Sequence, residues 1–144
     1  MRIAVVGARA QRLCSRAGWS VSTFRSLAAV PGPRWELLAL TPGNSCAPPA
    51  AGLCAHSLLL PGDTPPQLLR WVSARQLIGY GLSPRDTLTL SSLIGSHRLL
   101  CVQRSFLTPG GELIEPMELP LPPGLESFSN EEALLLAGMR LLSR

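Results

Sequence analysis

The chain has 144 residues, 46% of them hydrophobic and 15% charged, with a net charge of +4, so it is long and apolar enough to bury the core of one domain. All thirteen basic residues are arginine. With no lysine, a phosphate loop of the Gly-Lys-Thr type, Schiff-base chemistry and a Ser-Lys hydrolase are excluded, and the low charge density argues against disorder and against a nucleic-acid partner.

"RIAVVG" at the start is short, β-branched and closed by a glycine, the form of a buried strand. Its apolar stretch, Ile3 to Val6, is too short for a secretory signal, and no apolar run reaches the ~18 residues of a membrane span. The expectation is a cytoplasmic protein with no membrane association. A helix from Ala8 to about Ala17 follows, ended by Gly18, and Val21, Phe24, Leu27 and Ala28 in "WSVSTFRSLAAV" suit a second helix. "WELLAL" (35–40) and "HSLLL" (56–60) read as strands around a Pro/Gly-rich loop. "PGDTPPQLLRWVSA" carries a helix start, with Asp63 or Thr64 as cap and Leu68, Leu69 and Val72 as the apolar face, and "RQLIGYG" gives a fourth strand. Near-continuous apolar strands alternating with helices imply a parallel, Rossmann-like sheet with flanking helices over residues 1–82.

From Asp86 the apolar period becomes two. Turns at Gly95-Ser96 and at "TPGG" (108–111) fold residues 83–122 into a small antiparallel meander, whose last strand lies at an edge because Pro116 and Pro120 cannot donate to a ladder. Glu112, Glu115 and Glu118 read as a solvated edge that resists sheet-to-sheet aggregation. A helix over 129–143 closes the single α/β domain, opened by a Ser129/Glu132 capping box and too apolar from Leu134 to Leu142 to stay in water.

The motifs each admit a chemical and a structural reading. "VVGARAQR" holds one glycine, Gly7, where a dinucleotide fingerprint wants three, so a plain strand-to-helix turn is preferred; Arg9 and Arg12 at the helix start can still attract an anion. Asp63 stands at the carboxyl end of a strand, where ligands of such sheets bind, but suits capping better. Tyr80-Gly81 marks the passage from parallel sheet to meander, with Gly81 free to adopt positive φ and Tyr80 filling the junction. Arg104, inside an apolar run, either snorkels to solvent or serves an anion or carboxylate. His56 and His97 have no acid or nucleophile nearby in sequence. Cys46, Cys54 and His56 lack the tight pairs and the fourth ligand of a zinc site; Cys14 and Cys101 read as core. No metal, cofactor or catalytic residue is expected.

From Leu58 to Leu142 the order of "LLLPGDTPPQLL", "LIGYGLSPRDTLTLSSL" and "MELPLPPGLESFSNEEALLLAGMRLL" resembles the closing part of the Mur ligase central domain. The family's Gly-Lys-Thr loop is here "GARAQR", and its His-Asn pair before the Ala-rich helix is here "LESFSN", without histidine. The resemblance therefore implies the fold without the ligase machinery, and no ATP-dependent ligation. The first expectation for function is a non-catalytic binding or interaction module that self-associates, as a homodimer, through the meander or the last helix. The second is a weak binder of a nucleotide or UDP-sugar linked to cell-wall metabolism, with Gly7, Arg9, Arg12, Asp63, Tyr80, Gly81 and Arg104 as candidate contacts. A small enzyme using Arg104 and a carboxylate is the third.

Overall fold

A computed structural model describes residues 1–43, 48–49, 52–91 and 98–144. The turn expected at Gly95-Ser96, His97 and Cys46 lie outside them. The short apolar runs become β1 (Ile3–Val6), β3 (Arg34–Leu40), β4 (Leu53–Pro61) and β5 (Val72–Tyr80), the last two longer at their amino ends than their hydrophobicity suggests. With β2 (Ser22–Phe24), β6 (Leu88–Ser91), β7 (Leu99–Val102) and β10 (Met117–Pro120) they form one sheet in the order β10-β7-β6-β5-β4-β3-β1-β2. From β2 to β6 every pairing is parallel; β6–β7 and β7–β10 are antiparallel. The fold is thus α/β, a mostly parallel sheet that continues into an antiparallel end. β10 is the edge strand its prolines demand, and Glu112, Glu115 and Glu118 are all exposed. The second part of the expected meander instead splits off as a two-stranded ribbon, β8 (Phe106–Leu107) and β9 (Leu113–Ile114), which buries Phe106 and Ile114.

Two expected helices are absent. Ser22–Phe24 pairs in parallel with β1, and only a 3₁₀ turn, Leu27–Ala29, follows. The apolar spacing there also fits a short strand, and the ladder to β1 satisfies backbone groups that a Ser-rich helix would hold less well. "TPPQLLRW" forms a single 3₁₀ turn, Pro66–Arg70, before β5 begins at Val72. Its prolines withhold donors, and β-branched Val72 pairs with Leu53. Thr64 donates its hydroxyl to the Pro61 carbonyl at 2.6 Å, and no side chain caps the 3₁₀ turn, so Asp63 is not a cap.

The core lies on both faces. One face packs α1 (Ala10–Arg16) and α2 (Asn130–Leu142) on Val5, Leu37, Leu59, Ile78 and Leu88; the other is covered by the two 3₁₀ turns over Leu38, Leu40 and Leu58. α2 starts with the expected capping box: Glu132 N–H donates to Ser129 Oγ (3.2 Å) and Ser129 N–H to Glu132 Oε1 (3.1 Å). Nine of its thirteen residues are buried, so this helix is spent on its own chain and offers little surface for a second copy.

β3, β4 and β5 share a defect. Trp35, Ala55 and Ala74 face the same side as Leu38 and Leu58, although strict alternation would turn them to the other. The ladder omits Glu36, His56 and Arg75, and the N–H groups of Glu36 and Leu37 both donate to the Arg2 carbonyl, at 3.0 and 3.2 Å. One extra residue per strand, aligned across three strands, is a bulge in register.

Candidate functional site

The chain leaves β1 through α1 to reach β2 on one side, then returns past β1 to place β3 on the other. The carboxyl ends of β1 and β3 therefore part at the reversal of strand order, where open α/β sheets bind ligands. Gly7 ends β1 and donates its N–H to the Phe24 carbonyl (2.8 Å); Thr41 follows β3 and donates to the Val6 carbonyl (3.0 Å). The two residues touch. A Cβ on Gly7 would fall on Thr41 Oγ1 and lie 2.9 Å from Thr41 Cβ. Thr41 is only 4% exposed, and what is exposed faces the cleft beside it.

A cleft of about 530 Å³ opens beside this pair, lined by Arg9, Leu13, Thr41, Gly43, Ser129 and Glu132. Arg9 is the residue before α1 and has an exposed side chain with no ion pair among the described residues. Ser129 and Glu132 are held by their reciprocal cap. The cleft thus presents one guanidinium, one hydroxyl and one oriented carboxylate. That set can hold a small polar molecule bearing an anionic group. The Cys14 thiol below is pushed up to about 11 by burial, which keeps it protonated and poorly nucleophilic at neutral pH. Among the described residues no three His, Cys, Asp or Glu side chains are grouped to hold a metal.

Of the seven candidate residues, Arg9 lines this cleft and Gly7 packs against its Thr41. Arg12 is exposed on α1 and does not line the cleft. Asp63 is exposed in the turn after β4. Tyr80 is 1% exposed and its hydroxyl donates to the Leu40 carbonyl at 2.6 Å, bracing β5 to the end of β3. Burial raises its phenol above the ordinary range, and the carboxylates of Glu131 and Asp63 raise it further. Tyr80 therefore fills the junction, as expected, and does not present its hydroxyl to a ligand. Arg104 lies beyond the end of β7, exposed, and donates to the Arg85 carbonyl at 2.6 Å, so it stitches one loop to another.

Gly81 does not have positive φ. It is needed for space: a Cβ there would sit 2.6 Å from an oxygen of Asp86, and one on Gly62 would overlap the other oxygen. Asp86 is 5% exposed and packed among Gly62, Gly79 and Gly81, accepts from Ser83 N–H at 3.0 Å, and has its own carbonyl held by Gln103 at 2.6 Å. Sequence reading passed over Asp86 and Thr41. The signal for Asp86 was the cluster of glycines at adjacent strand ends; for Thr41 there was none beyond its place after "WELLAL".

Cys54 and His56 stand two apart near the other, amino end of β4, the first exposed and the second half-buried. Compared with known protein families, characterised proteins and solved structures, the chain matches none.

Proposed function

We propose that the chain is a non-catalytic α/β binding domain that takes a small, anion-bearing molecule in the cleft between β1 and β3. The observation that carries this reading is the Thr41 hydroxyl, which a mostly buried side chain sets against the cleft, beside the exposed Arg9 at the strand-order reversal. A hydrogen bond from that hydroxyl to a ligand is worth about 0.5–1.5 kcal/mol net, more where the ligand group is charged. A nucleotide or UDP-sugar, the ligand class of the Mur-like reading, is the organic candidate. Gly7 N–H is committed to Phe24, so the turn lacks a donor that a phosphate loop would present, and binding without turnover is expected.

The test is a thermal-shift and calorimetric titration with uridine and adenine nucleotides and UDP-N-acetyl sugars. Ligand at 100 times its Kd stabilises by about 2.7 kcal/mol, a readily measured rise in melting temperature. Arg9→Ala should weaken binding while leaving the free protein's melt unchanged. If no member of the panel binds, or Arg9→Ala binds equally well, the reading fails; phosphate release from Mg·ATP that disappears in an Arg9→Ala, Arg12→Ala double variant would overturn its non-catalytic part.

Association of two chains is a second reading, favoured by apolar side chains left open on β5 and β7. Leu77 is 48% exposed, and Leu99 and Cys101, which alternate with buried Leu100 and Val102, are only half-buried. Light scattering on the wild type and on Leu77→Glu tests it: a monomer at all concentrations rules association out.

A further inference from the structure

We propose a second binding site, at the amino end of the parallel sheet, for a ligand carrying a phosphate or diphosphate group. It lies at the opposite end of the strands from the β1–β3 cleft and does not depend on it.

The amino ends of β3, β4 and β5 build this site. At the start of the strands Arg34, Cys54 and Ser73 lie side by side, and the next row off the ladder is Glu36, His56 and Arg75. These rows are two residues apart along the strands, the spacing that puts side chains on one face. They bring Arg34 and Arg75 to one cleft of about 540 Å³, together with Arg2, His56 and Glu36. Neighbouring strands are about 4.8 Å apart, so two arginines on strands once removed flank a gap of roughly 10 Å, which their long side chains span to grip one phosphate or the two ends of a diphosphate.

The charge is uncompensated. Three guanidiniums face one carboxylate, and Glu36 Oε2 accepts from the backbone N–H of Arg2 at 2.7 Å and forms no ion pair with a guanidinium. All nine acidic residues of the chain are among the described ones, and the ion pair they form is Glu112 with Arg144, at 3.8 Å. Arg34 and Arg75 therefore have no anionic partner within the described fold, which leaves both forks open to an external one.

The surrounding groups are held in place. The Arg2 guanidinium donates to the Arg34 carbonyl at 2.8 Å and lies 4.1 Å above the centre of the Trp35 ring, whose indole N–H donates to Pro31 at 3.0 Å. His56 Nδ1 lies 2.8 Å from Ser57 Oγ, which also accepts from Gln76 at 2.7 Å, so the ring is anchored on one edge and Nε2 is its free edge among the described residues. Several cations around one small cleft favour a doubly charged anion over a single carboxylate, and arginine forks match phosphate oxygens two at a time.

The experiment is a calorimetric titration of the full chain at low salt with inorganic phosphate and with pyrophosphate, paired with ¹⁵N NMR of the same samples. Saturable binding is expected, tighter for pyrophosphate, with movement of the Trp35 indole and the Cys54 and Ser73 amides while Gly7 and Gly43 stay still. Arg34→Gln with Arg75→Gln should lower affinity at least about tenfold, Arg34→Lys with Arg75→Lys should lower it less, and Arg25→Ala, an exposed arginine in neither cleft, should leave it unchanged. The proposal is overturned if the wild type binds neither anion at about 10 mM, if the glutamine pair binds as well as the wild type, or if the NMR changes fall at Gly7 and Gly43 instead. Should the glutamine pair not fold, the lysine pair and the wild-type NMR map decide between the same outcomes.

Discussion

Gly7→Ala separates a glycine kept for packing from one kept for a ligand. The new Cβ would occupy the position of Thr41 Oγ1 and lie 2.9 Å from Thr41 Cβ, against a normal carbon contact of about 3.5–4.0 Å. Thr41 is 4% exposed and follows a strand whose last four residues are buried, and rotation about its Cα–Cβ bond moves Oγ1 but not Cβ. The strain must therefore pass to the backbone. Overpacking of this kind costs typically 1–3 kcal/mol, and the contact with an atom on the main-chain side of the threonine puts Gly7→Ala in the upper half of that range, about 2–3 kcal/mol. In a chain of this length that is a fall in melting temperature of roughly 6–10 °C. The decisive measurement is a double-mutant cycle by urea denaturation with Thr41→Ala, which removes Oγ1 and Cγ2 and leaves only the Cβ contact. The double variant should recover 1 kcal/mol or more of the loss, a coupling of about the size seen between residues in contact. An unchanged melt for Gly7→Ala would refute the packing account and return Gly7 to the role of a ligand-facing turn, and strictly additive effects with Thr41→Ala would refute it by assigning the loss to the backbone of Gly7, whose φ of 157° an alanine adopts poorly.

Ser129→Ala should cost about 1 kcal/mol in chemical denaturation, since both halves of the capping box are formed, and a neutral result would show that the cap adds nothing. Leu135→Ala, deep in α2, should cost 2–5 kcal/mol, and removal of residues 129–144 should leave a chain that binds hydrophobic dye and lacks near-ultraviolet dichroism; a cooperative melt from the truncated chain would contradict the packing of α2. The protein should lose stability on the alkaline side. Burial holds the Cys14 thiol at about 11 against an ordinary 9.0 and the Tyr80 phenol still higher against an ordinary 10.0. Both folded values lie above the unfolded ones, so this stability is complete below pH 9 and is lost progressively as the pH rises through 9 to 11 for Cys14 and beyond 10 for Tyr80. Because the chain has no lysine, thiols and this one phenol are the side chains that titrate there. Tyr80→Phe should cost about 1 kcal/mol at neutral pH through the lost bond to Leu40, and should flatten the fall above pH 10; an alkaline profile parallel to the wild type would refute the assignment.

What the sequence made legible follows from how strongly each signal was tied to burial. Buried parallel strands read as unbroken apolar runs, and "RIAVVG", "WELLAL" and "HSLLL" are such runs; the amphipathic "NEEALLLAGMRLL" with its cap could only be a packed helix. The amino halves of β4 and β5 were hidden because "LCA" and "VSARQ" are short of large apolar residues: they are strands by pairing with their neighbours, not by their own pattern. The same holds for β2, three residues held by the ladder to β1. The bulge across Glu36, His56 and Arg75 was beyond reach for a related reason, since one inserted residue looks like lost periodicity in a single strand and becomes a feature only when three strands align.

At the candidate sites the glycines misled in a physically instructive way. Gly7 and Gly81 occupy positions at strand ends where a nucleotide fold would place glycines to let a phosphate or base approach, and a sequence cannot say which neighbour needs the room. Here the neighbour is a side chain of the same protein: Thr41 for Gly7, and Asp86 for Gly62 and Gly81. A glycine used this way removes a cavity that a ligand would otherwise occupy, yet it also seats a polar atom where a Cβ would have excluded it. Thr41 Oγ1 comes to the floor of the β1–β3 cleft because Gly7 has no side chain, so packing and binding make the same demand at that position. Thr41→Val distinguishes the two consequences. It keeps the branched shape and replaces the hydroxyl by a methyl, so a residue kept for packing alone should tolerate it at a cost within about 1 kcal/mol. Ligand affinity at the cleft, if the hydroxyl is the recognition group, should fall by about tenfold or more for want of its hydrogen bond, with the fold intact. Equal affinities for the wild type and Thr41→Val would show that the hydroxyl sits there to fill space beside Gly7 and for no other purpose.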